Sequence, residues 1–120
     1  MISENEQRLI EEFSARGMLR GQEMYLPKAD MVSFVRRAEA LDLATIGLEG
    51  FRWVGGKLHP RLDLIADYSS FSCAAWTSFR TACNHAAERF LSCTADEPHL
   101  IFNATLVSRP EWDSAQLNDQ

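Results

Sequence analysis

The spacing of apolar residues predicts a helix at the start of the chain. The segment Ser3 to Glu6 has the Ser-x-x-Glu form of a helix N-terminal capping box. Three apolar residues follow at helical spacing, at Leu9, Ile10 and Phe13. Gly17 then marks the end of this first helix, because glycine is the common residue just beyond a helix C-terminus.

A strand, a second helix and another strand follow in the predicted order. The extended run over residues 22–26 ends at Pro27 and indicates a short strand. The next helix has one apolar face, formed by Met31, Phe34, Val35, Ala38 and Leu41. Residues 44–48 form a compact apolar run that is typical of a buried strand. A strand, helix and strand in succession are typical of a crossover unit, so two parallel strands are expected.

The second half of the chain predicts a hairpin, a long helix and a last strand. Residues 51–58 indicate a β-hairpin that turns at Gly55-Gly56 and is closed by Pro60. The third helix lies between residues 74 and 93, and its apolar side is formed by Trp76, Phe79, Cys83, Ala87, Phe90 and Leu91. Residues 99–107 predict the final strand.

These elements predict an α/β (α+β) fold. We expect one domain over residues 1–110, with a mixed β-sheet of four or five strands and three helices, and a polar C-terminal tail over residues 111–120. Because 46% of the 120 residues are hydrophobic, the chain can bury one core. The tail offers only Trp112 and Leu117 as apolar anchors, so it is expected to be loose and dispensable for stability.

Charge and hydropathy narrow the class of partner. The net charge of -5 lacks the basic footprint of a nucleic-acid-binding protein. No apolar run is long enough to cross a bilayer, and the first residues lack the layout of a signal peptide. A cytoplasmic protein with neither nucleic acid nor membrane as a partner is therefore expected. An acidic surface favours a basic protein as partner.

The cysteines and histidines do not predict a metal site. Cys73, Cys83 and Cys93 are odd in number and lie ten residues apart, which favours reduced thiols. On a helix, Cys83 would lie on the apolar face and His85 on the solvent side. The paired close spacings of a zinc site are also missing. We therefore expect neither a metal nor another cofactor.

An enzyme and a homodimer are the two alternatives to a binding protein. A small cytoplasmic hydrolase could use His59 with Asp63 and Asp67, although the sequence has no Gly-x-Ser-x-Gly nucleophile motif. A structural homodimer could pair edge strands or an apolar face. A pocket with convergent titratable groups would favour the enzyme.

Carboxylates and aromatic residues alternate in and beside the connecting segments of residues 49–69. Loops on a rigid scaffold are where binding residues concentrate. The candidate partner-binding residues are Glu49, Phe51, Trp53, Asp63, Asp67, Tyr68 and Ser69. Two structural roles compete with this interpretation, because Asp67, Ser69 or Ser70 could cap the third helix and Trp53 could face the core.

Three short motifs within residues 17–70 carry a resemblance to a known family. They are Ile46-Gly47-Leu48-Glu49-Gly50-Phe51, Pro60 to Asp63, and Asp67-Tyr68-Ser69-Ser70. In this order they resemble small bacterial immunity proteins of polymorphic and contact-dependent growth inhibition toxin systems. The resemblance implies a noncatalytic protein that binds a cognate toxin domain and blocks its active site or substrate entry. The acidic charge of the chain favours a basic, nuclease-type toxin as the partner, in a one-to-one complex.

Overall fold

Five strands and four helices make up residues 3–118, the part of the chain that the computed structural model describes. The elements in chain order are α1 (Glu4–Phe13), β1 (Met18–Arg20), β2 (Glu23–Pro27), α2 (Lys28–Ala40), β3 (Leu43–Val54), β4 (Lys57–Asp67), α3 (Trp76–Cys93), β5 (Leu100–Ser108) and α4 (Arg109–Asn118). The strands form one sheet in the order β1-β2-β5-β3-β4. The α+β class predicted from the sequence is confirmed.

Strand pairing differs from the predicted mixed sheet, because every neighbouring pair of strands is antiparallel. The segment β2-α2-β3 does form a crossover between two strands that run in the same direction. However, β5 lies between these strands and pairs antiparallel with both. The crossover pattern in the sequence predicts relative direction, but it does not say whether the two strands are neighbours.

Helices α1 and α2 and the C-terminal half of α3 cover one face of the sheet and enclose the main core. The capping box is present, since the Ser3 hydroxyl accepts a hydrogen bond from the Glu6 backbone N–H at 3.1 Å. The predicted apolar face of α2 is buried, as are Leu9, Ile10 and Phe13 of α1. They pack against strand residues that include Leu26, Leu43, Leu48, Leu100 and Phe102. No helix within residues 3–118 has the length and apolar character needed to span a membrane.

The hairpin of β3 and β4 is longer than predicted. Residues 44–48 and 51–54 belong to one continuous strand, and β4 runs past Pro60 to Asp67. Gly55 and Gly56 form the expected turn with φ angles of +60° and +74°. Pro60 pairs with Phe51 instead of ending the strand. The proline is tolerated because β4 is an edge strand and a missing N–H can face solvent.

Helix α3 covers the part of β3 that β4 leaves unpaired. The β3-β4 ladder ends where Gly47 pairs with Asp67, so the backbone of residues 43–45 has no strand on that side. The buried side chain of Asn84 replaces it. Its carbonyl oxygen accepts from the Thr45 N–H at 2.8 Å, and its amide donates to the Leu43 carbonyl at 2.9 Å.

The expected loose C-terminal tail is a helix through residue 118, with its aromatic side chain packed on the fold. The ring of Trp112 lies 5.9 Å from that of Trp76 and 5.8 Å from that of Phe79. These two α3 residues are buried and form a second apolar cluster with Ala44 and Val107. The polar composition concealed this anchor, because one tryptophan is enough to dock a short helix. Residues 119 and 120 lie outside the described part.

We therefore expect Trp112→Ala to lower the free energy of unfolding by about 2 kcal/mol, because a half-buried ring and two aromatic contacts are lost. Chemical denaturation would measure the change. Gln116→Ala on the same helix is the control, since Gln116 is exposed, and it should change stability by less than about 0.5 kcal/mol. Equal stability of the two variants would show that α4 is not anchored through Trp112.

Candidate partner-binding surface

The second face of the sheet presents several of the candidate residues to solvent. Gly50 lies against Leu64 and Phe102 on the helix-covered side, so Glu49 and Phe51 point to the other side. One end of this second face is covered by the Trp76, Phe79 and Trp112 cluster. We call the remainder the open face, and its members are Tyr25, Glu49, Phe51, Trp53, Ile65, Asp67, Ile101 and Asn103.

The register of the strands arranges the open face in rows. Tyr25 on β2 pairs with Asn103 on β5, which pairs with Glu49 on β3, which pairs with Ile65 on β4. Residues directly opposite one another in antiparallel strands point to the same face, about 5 Å apart. A row of polar, acidic and apolar side chains therefore crosses four of the five strands.

The aromatic residues of the open face contact neighbouring side chains. The rings of Tyr25 and Phe51 pack edge to face at 5.4 Å. Trp53 is half-buried, and the Arg20 guanidinium lies 5.8 Å from its ring centroid. Burial is the main cause that raises the pKa of Tyr25 to about 12, and the hydrogen bond from the Tyr25 hydroxyl to Glu23 adds to the increase. Phe51 and Trp53 therefore present partly exposed apolar side chains, while Tyr25, 6% exposed, is buried against Phe51.

Two carboxylates border a cleft of about 300 Å³ on the open face. Gly47 and Thr105 line it, with Glu49 and Asp67 on its margin. Asp67 accepts hydrogen bonds from the Ser69 hydroxyl at 2.6 Å and from the Ser69 N–H at 2.9 Å, and these lower its pKa. Glu49 is exposed and makes no ion pair within residues 3–118. Negative charge is therefore available to a partner at this cleft.

Five of the seven predicted partner-binding residues lie on or beside the open face, and the other two lie elsewhere. Glu49, Phe51, Trp53 and Asp67 share the open face, and Ser69 holds the carboxylate of Asp67. Helix α3 is not capped by Asp67 or Ser69, because its N-cap residue is Ala75, which makes no side-chain capping bond. Trp53 does not point into the helix-covered core.

Asp63 and Tyr68 lie instead along a groove of about 590 Å³ between β4 and the C-terminal half of α3. The Tyr68 hydroxyl donates to the Ala86 carbonyl at 3.2 Å, so this side chain ties the end of β4 to α3. Asp63 forms a two-pronged ion pair with Arg61. Both residues are therefore engaged in contacts within the fold.

The side chains proposed for a hydrolase do not converge among the described residues. His59 is exposed and pairs across the hairpin with Arg52. Neither Asp63 nor Asp67 is hydrogen-bonded to a histidine anywhere in residues 3–118. Their partners are Arg61 and Ser69, which hold them as ionised acceptors.

Cys83 and His85 lie on the sides of α3 that the helical pattern predicts, whereas Cys73 precedes the helix and Cys93 is exposed at its end. Cys83 is buried and its pKa is raised to about 12, mainly by burial and further by Cys73. His85 is exposed on the opposite side of α3. Within the described range, no three His, Cys, Asp or Glu side chains come together as possible metal ligands.

Sequence reasoning missed four members of the open face: Tyr25, Ile65, Ile101 and Asn103. Ile65 is 52% exposed and lies directly opposite Glu49. Regular alternation from Leu58 and Pro60 would place Ile65 on the helix-covered side, and only the register shift between Glu49 and Gly50 brings it to the open face. Tyr25 could not be placed beside Phe51 from the sequence, because β5 inserts between their strands. Comparison with protein-family models, curated protein sequences and solved structures finds no match to this chain.

Proposed function

We propose that this chain is an immunity protein, which binds a cognate toxin domain through the open face and neutralises it without catalysis. One observation carries the proposal: Glu49, Phe51, Trp53 and Asp67, separated in the sequence, share one exposed face of a rigid sheet. The motif resemblance within residues 17–70 supplies the class of partner.

The chemistry of the open face favours a partner with a basic surface. Toxin domains that act on nucleic acid carry positive charge where they bind phosphates. The carboxylates of Glu49 and Asp67 complement such a surface and would speed its association with a chain of net charge -5. Phe51 and Trp53 supply the kind of apolar contact that contributes most to protein interfaces.

The rigidity of the hairpin favours tight binding. The long strands β3 and β4 and the aromatic contacts hold the open face in one arrangement before the partner arrives. Little side-chain or loop ordering then opposes association. We propose a one-to-one complex, formed in the cytoplasm without a cofactor, in which the sheet covers the active site or substrate entry of the toxin.

A stoichiometric titration tests this function. The proposal predicts that the coding sequence immediately upstream encodes a nuclease-type toxin domain. The purified chain is added to that domain, and residual toxin activity is measured. A binding inhibitor is expected to abolish activity at a molar ratio of one, and co-expression should restore growth. Complete loss at a ratio far below one would indicate an enzyme instead. Undiminished activity at a large excess would contradict the proposal.

A further inference from the structure

Strand β4 contains a bulge that projects an apolar side chain. Glu49 pairs with Ile65, yet the next residue, Gly50, pairs with Arg61, so residues 62–64 have no counterpart on β3. Leu64 turns toward the core, close to Gly50. Leu62 remains 80% exposed, more than any other large apolar side chain in the described part of the chain.

The bulge is braced by an arginine. The Arg61 Nε and Nη2 groups donate to the two carboxylate oxygens of Asp63 at 3.0 Å and 2.9 Å. The Nη1 group donates to Glu97 in the loop before β5. The Arg61 side chain is 24% exposed, and two-pronged guanidinium-carboxylate pairs have well-defined geometry. The start of the bulge is therefore tied both to its middle and to a neighbouring loop.

We propose that Leu62, together with Ile65, is the apolar anchor of the toxin interface and enters an apolar pocket ringed by basic side chains on the toxin domain. This inference rests on the proposed function and adds the edge of β4 to its surface. Ile65 lies on the open face opposite Glu49, so the anchor is continuous with that face. Asp67, two residues farther along β4, supplies the charge that the basic ring complements.

Single exposed leucines are common on protein surfaces and need no partner. Two observations distinguish Leu62 from such a residue: a braced bulge presents it, and the bulge adjoins an acidic and aromatic face. Bulges often redirect side chains beside functional sites. Within this arrangement Arg61 is a positioning residue and makes no contact with the toxin, while Asp63 acts as its brace.

Binding of the upstream-encoded toxin domain to variants with truncated apolar side chains tests the anchor. Leu62→Ala should weaken the complex by about tenfold or more, and Ile65→Ala by a smaller factor. Leu19→Ala is the matched control, because Leu19 is 44% exposed on β1 at the opposite edge of the sheet, and it should leave affinity within twofold. If the wild-type chain binds and Leu62→Ala matches the control, the anchor is refuted while the proposed function stands. No binding by the wild-type chain would overturn both.

A double-mutant cycle tests the positioning role of Arg61. Arg61→Lys keeps the charge but loses the two-pronged geometry. It should therefore weaken toxin binding only because Leu62 is no longer held in position. The same change made in a Leu62→Ala background should then have no further effect. Losses that add in the double variant would show that Arg61 acts on the toxin independently of Leu62.

Discussion

Asn84→Ala is expected to lower the free energy of unfolding by about 3 kcal/mol, which corresponds to a fall of about 10 °C or more in the melting temperature of a domain of this size. Asn84 is 1% exposed, and its side chain completes the backbone hydrogen bonding of β3. The alanine variant leaves the N–H of Thr45 and the carbonyl of Leu43 without partners in a buried position. Each unsatisfied buried group costs about 1–3 kcal/mol.

The amide of Asn84 also belongs to a polar network between α2 and α3. It donates to Glu39 at 2.7 Å, and the same carboxylate accepts from Thr81 and Arg80. Burial alone would raise the pKa of Glu39, but the hydrogen bonds from Asn84, Thr81 and Arg80 outweigh it and lower the pKa. Loss of the Asn84 amide therefore also leaves a partly buried carboxylate with one donor fewer.

Asn103→Ala is the matched control for this prediction. Asn103 is half-buried, and its side chain donates one hydrogen bond, to the Met24 carbonyl at 3.2 Å. We expect it to cost about 1 kcal/mol or less. Urea denaturation of both variants gives the comparison. If Asn84→Ala proves no less stable than Asn103→Ala, the hydrogen bonds of Asn84 to the unpaired backbone of β3 do not contribute appreciably to the stability of the fold.

Local patterns predicted the elements of this fold because each depends on near neighbours in the sequence. The capping box at Ser3, the apolar face of α2 and the Gly55-Gly56 turn are all of this kind. The order of the strands in the sheet could not be predicted from such local patterns. The insertion of β5 between β2 and β3 depends on pairing energies between residues 48 to 78 positions apart in the sequence.

The candidate surface was predicted in part for the same reason. Alternation along one strand brings Glu49, Phe51 and Trp53 to a common face, which a sequence pattern can show. The bulge at residues 62–64 shifts the register of β4, and no turn residue marks it in the sequence. Because the sequence does not reveal this bulge, it predicts Asp63 as a partner-binding residue, although the Asp63 carboxylate is held in an ion pair by Arg61, and it does not predict the exposure of Leu62.

Reversal of both open-face carboxylates, Glu49→Lys with Asp67→Lys, is expected to weaken toxin binding by about a hundredfold, or about 2.7 kcal/mol. Two attractive contacts with a basic surface become repulsive. Most of the loss of affinity should come from a slower association rate. The difference from the wild-type chain should become smaller at high salt, because exposed charges are screened. Surface plasmon resonance at two salt concentrations would separate these effects.

Two controls separate charge from folding in this experiment. Glu11→Lys with Asp96→Lys makes the same change in net charge at exposed positions on α1 and in the loop before β5, and should change affinity by less than threefold. Glu49→Gln with Asp67→Asn removes charge but keeps an oxygen to accept from Ser69. It should give an intermediate loss with unchanged melting. Equal losses for the reversed and control pairs would mean that only overall charge matters.

The location of the interface is the central claim, and hydrogen-deuterium exchange on the toxin complex tests it most directly. We expect the amides of residues 55–67, which cover the hairpin turn and the outer edge of β4, to exchange more slowly in the complex than in the free chain. The amides of α1 and α2, on the opposite side of the sheet, should exchange at unchanged rates. Protection confined to α1 and α2, with the hairpin unaffected, would contradict binding through the open face.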